Sequence, residues 1–190
     1  MIRLENINKK YGEQIVLDNF SLNVSGGERI ALIGASGRGK TTLLRIISGL
    51  ENADGGTVEC NGKIAYMFQE ARLLPWKSAR ENILAVLKKE KSALADKYLD
   101  AVGLSADKDK LPTSLSGGMA QRVAFARFLA YAEATNAEIL LLDEPFSALD
   151  GDTADEMIAL LDSFAAKKTL ILVTHDEGHA DALGAKTVEL

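Results

Sequence analysis

Apolar and polar residues alternate along the first 24 positions. Ile2, Leu4 and Ile7 are followed by Val16, Leu17, Phe20, Leu22 and Val24. That period predicts antiparallel strands with one buried face, turning near Tyr11-Gly12. The pattern then changes. Ile30-Ala31-Leu32-Ile33 is a continuous apolar run, read as a short buried strand, and Thr42 to Ile47 carries the spacing of a helix start. Asp54-Gly55-Gly56 marks a turn, and Thr57 to Phe68 reads as further strand broken at Asn61-Gly62. Residues 78–102 place Ile83, Val86, Leu87, Leu94, Tyr98 and Leu99 at helical spacing up to Gly103, and a second helix runs from the Leu115–Met119 segment to about Ala132. Ile139 to Leu142 is apolar throughout, as a central parallel strand covered on both faces should be. A helical pattern over 151–166, a β-branched strand at Thr169–Val173 and an edge strand at Lys186–Leu190 complete the chain.

This order predicts one α/β domain: a core with an antiparallel front sheet from 1–70 and 133–190, and a helical insertion over 71–132. Length agrees, since 190 residues suffice for a sizeable single core. Composition is that of an ordinary soluble protein, 47% hydrophobic and 26% charged, with mean hydropathy near zero. A net charge of -5 argues against a nucleic-acid surface. The single cysteine, Cys60, has no internal partner and reads as a small buried apolar residue. No apolar run approaches the ~20 residues of a membrane span, and no signal peptide opens the chain, so a cytosolic location is expected, with any membrane action exerted through a partner.

Candidate chemistry sits where strands give way to turns. Gly34-Ala35-Ser36-Gly37-Arg38-Gly39-Lys40-Thr41 lies between a predicted strand and a predicted helix and satisfies G-x-x-x-x-G-K-[ST] in full. Small residues there let backbone N–H groups converge on a phosphate, and the helix N-terminus adds partial positive charge. Lys40 then reaches the β- and γ-phosphates, Thr41 ligates Mg²⁺, and Ser36, Gly37, Arg38, Gly39 and Thr42 line the cradle. Asp143 and Glu144 end a buried strand, where ligands gather in doubly wound sheets. Adjacent residues leaving a strand point opposite ways. Asp143 therefore suits the metal and Glu144 suits polarising water.

His175 ends the next strand and is placed to donate to a γ-phosphate. His179, one helical turn on, reads as structural; the pair has zinc-like spacing but lacks a third ligand nearby. Tyr11 is either an exposed turn aromatic or, with Val16 beside it, a platform for adenine, where stacking is worth ~1–3 kcal/mol and tolerates any base. Ser116 suits an N-cap, and Gly117 and Gly118 leave backbone N–H groups open, a modest anion site when taken alone. Trp76, after Pro75, is expected to pack in the core or at its edge, with a partner contact as the alternative.

Taken together, Gly34–Thr41, Gln69, Leu115-Ser116-Gly117-Gly118-Met119, Asp143-Glu144 and His175 resemble the ATP-binding cassette ATPases, in that family's order and over nearly the whole chain. The glycine-rich signature stands as LSGGM, and Ser147-Ala148-Leu149-Asp150 is similar to the loop following the catalytic glutamate. The resemblance implies several roles. Gln69 contacts Mg²⁺ and the attacking water and relays to a membrane partner. Ser116, Gly117 and Gly118 bind the γ-phosphate of ATP held by a second copy in a head-to-tail dimer. Phe68 to Trp76 further resembles the nitrate, sulfonate, taurine and thiamine-precursor importers.

The function so implied is ATP hydrolysis powering an importer, with the chain bound to permease subunits at the inner face of the plasma membrane and served indirectly by a solute-binding protein. The alternatives are a soluble ATPase of the same family, uncoupled from transport, and a non-catalytic nucleotide-responsive module. Three departures from the family pattern accompany the resemblance: a long Tyr131–Glu138 stretch, Gly184-Ala185-Lys186 in place of the usual Asp-Arg, and a chain that stops just past the histidine strand.

Overall fold

The computed structural model describes residues 1–190. Two sheets organise it. Strands β1 (Ile2–Tyr11), β2 (Gln14–Val24) and β4 (Gly55–Cys60) form an antiparallel sheet in the order β2-β1-β4. Strands β3 (Arg29–Ile33), β5 (Ile64–Met67), β6 (Ile139–Asp143), β7 (Thr169–Val173) and β8 (Lys186–Glu189) form a parallel sheet in the order β5-β6-β7-β3-β8. The stretch expected as strand over 57–68 is thus divided between the two sheets, with its break at Asn61-Gly62.

The continuous apolar runs have a direct cause. On β6, Ile139 and Leu141 enter one core cluster with Ile2, Leu4 and the helix α1 (Lys40–Ile47), while Leu140 and Leu142 enter the other, against the helices. β7 divides likewise, Ile171 and Val173 to one side and Leu170 and Leu172 to the other. A strand buried on both faces has no solvent side and hence no alternation. The catalytic-looking residues therefore stand at the ends of the least deformable strands.

Helices α2 (Ala79–Leu84) and α3 (Ala93–Ala101) pack on α4 (Gly117–Thr135); α5 (Gly151–Phe164) packs on α6 (Glu177–Ala182), which lies against β3. Their starts were written in sequence. Ser78 and Glu81 form a reciprocal capping box, Ser116 accepts from the Met119 amide, and Asp150 accepts from the Thr153 amide. The helical pattern over 78–102 is not one helix. Residues 85–92 leave the α conformation, with a 3₁₀ turn at Lys89–Lys91. The Lys88-Lys89-Glu90-Lys91 run offers no apolar face to bury, and helix stability in proteins comes mainly from such packing.

The loop joining β5 to α2 is built around one buried amide. Asn82 is fully buried; its Oδ1 accepts from the Leu74 amide and its Nδ2 donates to the carbonyls of Leu74, Lys77 and Ser78. With the backbone bonds taken inward, Pro75-Trp76-Lys77 is pushed out, and Trp76 is 71% exposed rather than packed. The nearby Arg80–Asp96 pair is bidentate at 2.7 Å, but half-exposed pairs contribute about 0–1 kcal/mol. Asn82 is the stronger constraint. Asn82→Ala is expected to cost about 2–3 kcal/mol, because it strands buried backbone groups. Urea unfolding checks it; a loss no larger than that of Asp96→Ala would show that the loop is held otherwise.

Candidate active site

The phosphate loop joins β3 to α1. Gly39, the residue before the helix, has φ 92°, and a Cβ there would lie 2.8 Å from both Val16 Cγ1 and the Val16 carbonyl. Only glycine fits both the left-handed backbone and that approach. The first turn of α1 holds no acidic residue, so its N-terminal N–H groups keep their positive character. Lys40 is only 6% exposed; its ammonium donates to the carbonyls of Gly34 at 2.6 Å and Ala35 at 3.0 Å, across the loop.

A cleft of about 360 Å³ opens over this loop. Ser36, Gly37, Gly39, Lys40, Thr41 and Thr42 form its floor, Tyr11, Gln14 and Val16 one wall, and Gln69, Glu144, Val173 and His175 the other. Most residues singled out in the sequence thus meet in one place. Arg38 does not line the cleft. Gln14 and Val173 do, and only pairing could have revealed them: Gln14 is the strand partner of Tyr11, and Val173 that of Asp143. The Tyr11 hydroxyl donates to Glu51, and the Lys9 ammonium lies 5.3 Å from the ring centroid and 3.2 Å from Glu51. The ring at the mouth of the cleft is therefore tethered at its far end.

Asp143 closes β6 at 1% exposure. Its Oδ2 receives the Tyr66 hydroxyl at 3.5 Å, and its Oδ1 is buried without a partner. Burial raises its pKa, opposed by the Thr41 and Tyr66 side chains and by the positive charges of Arg45 and Lys40. A buried oxygen with unused acceptor capacity, beside the Thr41 hydroxyl, is a hard-donor set suited to Mg²⁺, which takes one or two carboxylates and completes its shell with phosphate and water.

Glu144 leaves the strand with φ 50°, a left-handed conformation uncommon outside glycine and concentrated at functional sites. Its amide donates to the Val173 carbonyl, and its Oε1 lies 2.5 Å from His175 Nε2. Burial raises the Glu144 pKa, while His175 and Lys40 oppose the rise. His179 is engaged elsewhere, its Nδ1 3.1 Å from the Thr174 hydroxyl and its ring edge-on to Phe146.

Ser116, Gly117 and Gly118 do not reach this cleft. Ser116 caps α4, Gly117 has open space where a side chain would begin, and a Cβ on Gly118 would lie 3.2 Å from the Ala148 carbonyl. The other tie between α4 and the site is Gln121, buried, whose Nε2 donates to the Pro145 carbonyl at 3.1 Å.

Comparison with known proteins shows the family and the fold. The family model described as ABC transporter matches residues 17–147. An aliphatic sulfonates import ATP-binding protein SsuB 2 of Agrobacterium fabrum is 45% identical over 183 residues, covering 91% of this chain and 69% of that protein. The SsuB of Yersinia pestis is 42% identical, covering 98% and 71%. Among solved structures, the post-hydrolysis dimer of the ATP-binding cassette MJ0796 bound to ADP and Pi superposes with a TM-score of 0.89 at 33% identity, covering all of this chain and 94% of that one.

The orphaned oxygen has a cost measurable without turnover. Burial places the folded pKa of Asp143 above its unfolded value, so this group favours folding most below the unfolded value, and that contribution is lost as pH rises through the folded one. Asp143→Asn is therefore expected to stabilise the nucleotide-free chain at alkaline pH by about 1 kcal/mol, roughly 2–4 °C in Tm, and less as pH falls. Melting curves across pH decide it; a variant less stable than wild type at alkaline pH contradicts the argument.

Proposed function

This chain belongs to the ABC transporter family, and from that membership we propose that it is the ATP-hydrolysing subunit of a small-solute importer of the aliphatic-sulfonate kind. The observation that carries the chemistry is the meeting of the phosphate loop, Glu144 and His175 in one cleft. Lys40, already desolvated, exchanges the carbonyls of Gly34 and Ala35 for phosphate oxygens. Open N–H groups of the loop and α1 take the remaining negative charge. Adenine stacks on Tyr11, with Val16 beneath and Glu51 steadying the ring. Thr41, Asp143 and Gln69 would hold Mg²⁺, which neutralises charge developing on the phosphates.

Glu144 takes a proton from water as the water oxygen bonds to the γ-phosphorus, and the bond to the β–γ bridging oxygen breaks to release ADP. A pKa raised by burial makes the carboxylate a stronger base than an exposed one. His175, bonded to Glu144 and exposed to the cleft, orients that carboxylate and donates to the γ-phosphate. Ser116, Gly117 and Gly118 do not line the chain's own cleft, and Gly117 has open space about it, which fits them to complete the site of a second copy. Two chains then close over two nucleotides and reopen after hydrolysis. Residues 71–132 serve as the helical arm that carries the signature loop.

No helix is long and apolar enough to cross a membrane. In this reading the chain works at the cytoplasmic face, held by permease subunits that receive solute from a binding protein outside. Glu144→Gln is expected to lower phosphate release 10²–10⁴-fold, the usual worth of a general base. With ATP it should accumulate as a dimer in light scattering. Turnover at the wild-type rate removes Glu144 from the role, and a strictly monomeric variant in saturating ATP and Mg²⁺ removes the shared site.

A further inference from the structure

The two oxygens of Asp143 are not equivalent: Oδ2 has the Tyr66 hydroxyl as partner and Oδ1 has none. Tyr66 lies on β5, the strand next to β6, and its hydroxyl reaches Asp143 Oδ2 at 3.5 Å. Tyr66 and Asp143 are on neighbouring strands, the register pairing Tyr66 with Leu141 and Met67 with Leu142. The remaining oxygen, Oδ1, has no protein partner.

The Tyr66 ring is itself held. Phe68 meets it edge-on with centroids 4.5 Å apart, and the Arg72 guanidinium covers Phe68 at 4.3 Å. Arg127 of α4 then pins the backbone beside them, donating to the carbonyls of Ala71 at 2.6 Å and Arg72 at 3.0 Å. Tyr66, Phe68, Arg72 and Arg127 together line a groove of about 350 Å³ on the outer side of this strand. A single side chain thus has its ring in the groove wall and its hydroxyl on the metal-side carboxylate.

We propose that Tyr66 is a positioning residue for Mg²⁺: its hydroxyl restrains one oxygen of Asp143 so that the other is presented to the ion, and the packing of Phe68 sets where that hydroxyl stands. The inference rests on the reading of Asp143 as a metal-holding group. A carboxylate with one oxygen fixed has fewer orientations to lose when the ion binds, and loss of such an outer hydrogen bond typically weakens a metal site 10–100-fold. The same contact makes the groove mechanically continuous with the site, because displacing the ring displaces the hydroxyl.

Tyr66→Phe keeps the ring and deletes only the donor. Binding of a fluorescent ATP analogue is measured in chelator and across a Mg²⁺ titration, and Mn²⁺ bound to the protein with a non-hydrolysable ATP analogue is counted by electron paramagnetic resonance. The expected result is unchanged nucleotide affinity in chelator, about a tenfold rise in the Mg²⁺ concentration for half-effect, and a similar weakening for Mn²⁺. Phe68→Ala, which keeps the hydroxyl and removes its support, should shift both in the same direction by a smaller factor. An unchanged ion dependence in Tyr66→Phe overturns the proposal, as does an equal loss of nucleotide affinity with and without the ion, which marks a general lesion. A wild-type chain whose nucleotide binding ignores Mg²⁺ would instead sink the reading of Asp143, so the two failures are distinguishable.

Discussion

A carboxylate withdrawn from water at the end of β6 is the constraint that the surrounding structure serves. Asp143 is as buried as the leucines that precede it, and one of its oxygens has no partner. Such a group opposes folding, and it persists only where neighbours offset part of the penalty. Those neighbours are Thr41, Tyr66, Arg45 and Lys40, from the phosphate loop, the first helix and the adjacent strand. Around this one group, β5, β6, β3 and α1 are held together by chemistry as well as by packing. The buried strand gives the position its rigidity, and in the proposed function a bound cation would be the missing partner.

Glu144 is the complement to this. One residue further on, the backbone turns into the left-handed region and the side chain swings to meet His175 at the end of β7. The two acids are thus separated by backbone conformation, one turned into the protein and the other toward the cleft. Their pKa values rise for the same reason, burial, but different groups hold them in check: hydrogen bonds for Asp143, a facing imidazole for Glu144. Similar side chains acquire separate tasks from where the strand ends.

The legible part of this was whatever depends on local pattern. Gly34–Thr41, the Ile139–Asp143 run and the Ser116 cap all follow from residue type and spacing, and the strands, helix starts and cleft floor stand where those imply. What escaped depends on register and tertiary neighbours. Gln14 and Tyr66 matter because of the residues across from them, and neither belongs to a motif. Trp76 was misread because apolar character alone suggests burial. The deciding residue was Asn82, six positions later, whose amide draws the loop backbone inward and leaves the indole outside. The helical pattern over 78–102 failed where four charged residues interrupted its apolar face.

In the proposed dimer, the Leu115–Met119 loop has a task that one chain alone does not offer it. Its helix, α4, is tied to the site twice: Gln121 to the Pro145 carbonyl directly behind Glu144, and Arg127 to the loop that begins at Gln69. Both ties run from the helix body, whereas its N-terminus, with Ser116 and two glycines, does not line the chain's own cleft. A motion of α4 would therefore be felt beside Glu144 and at the Gln69 loop of the same chain. An N-terminus of a helix is a weak anion site alone and a strong one only when the anion is delivered to it. In the proposed dimer, nucleotide would join two copies, and the helix offered to the neighbour would be the helix tied to the home site.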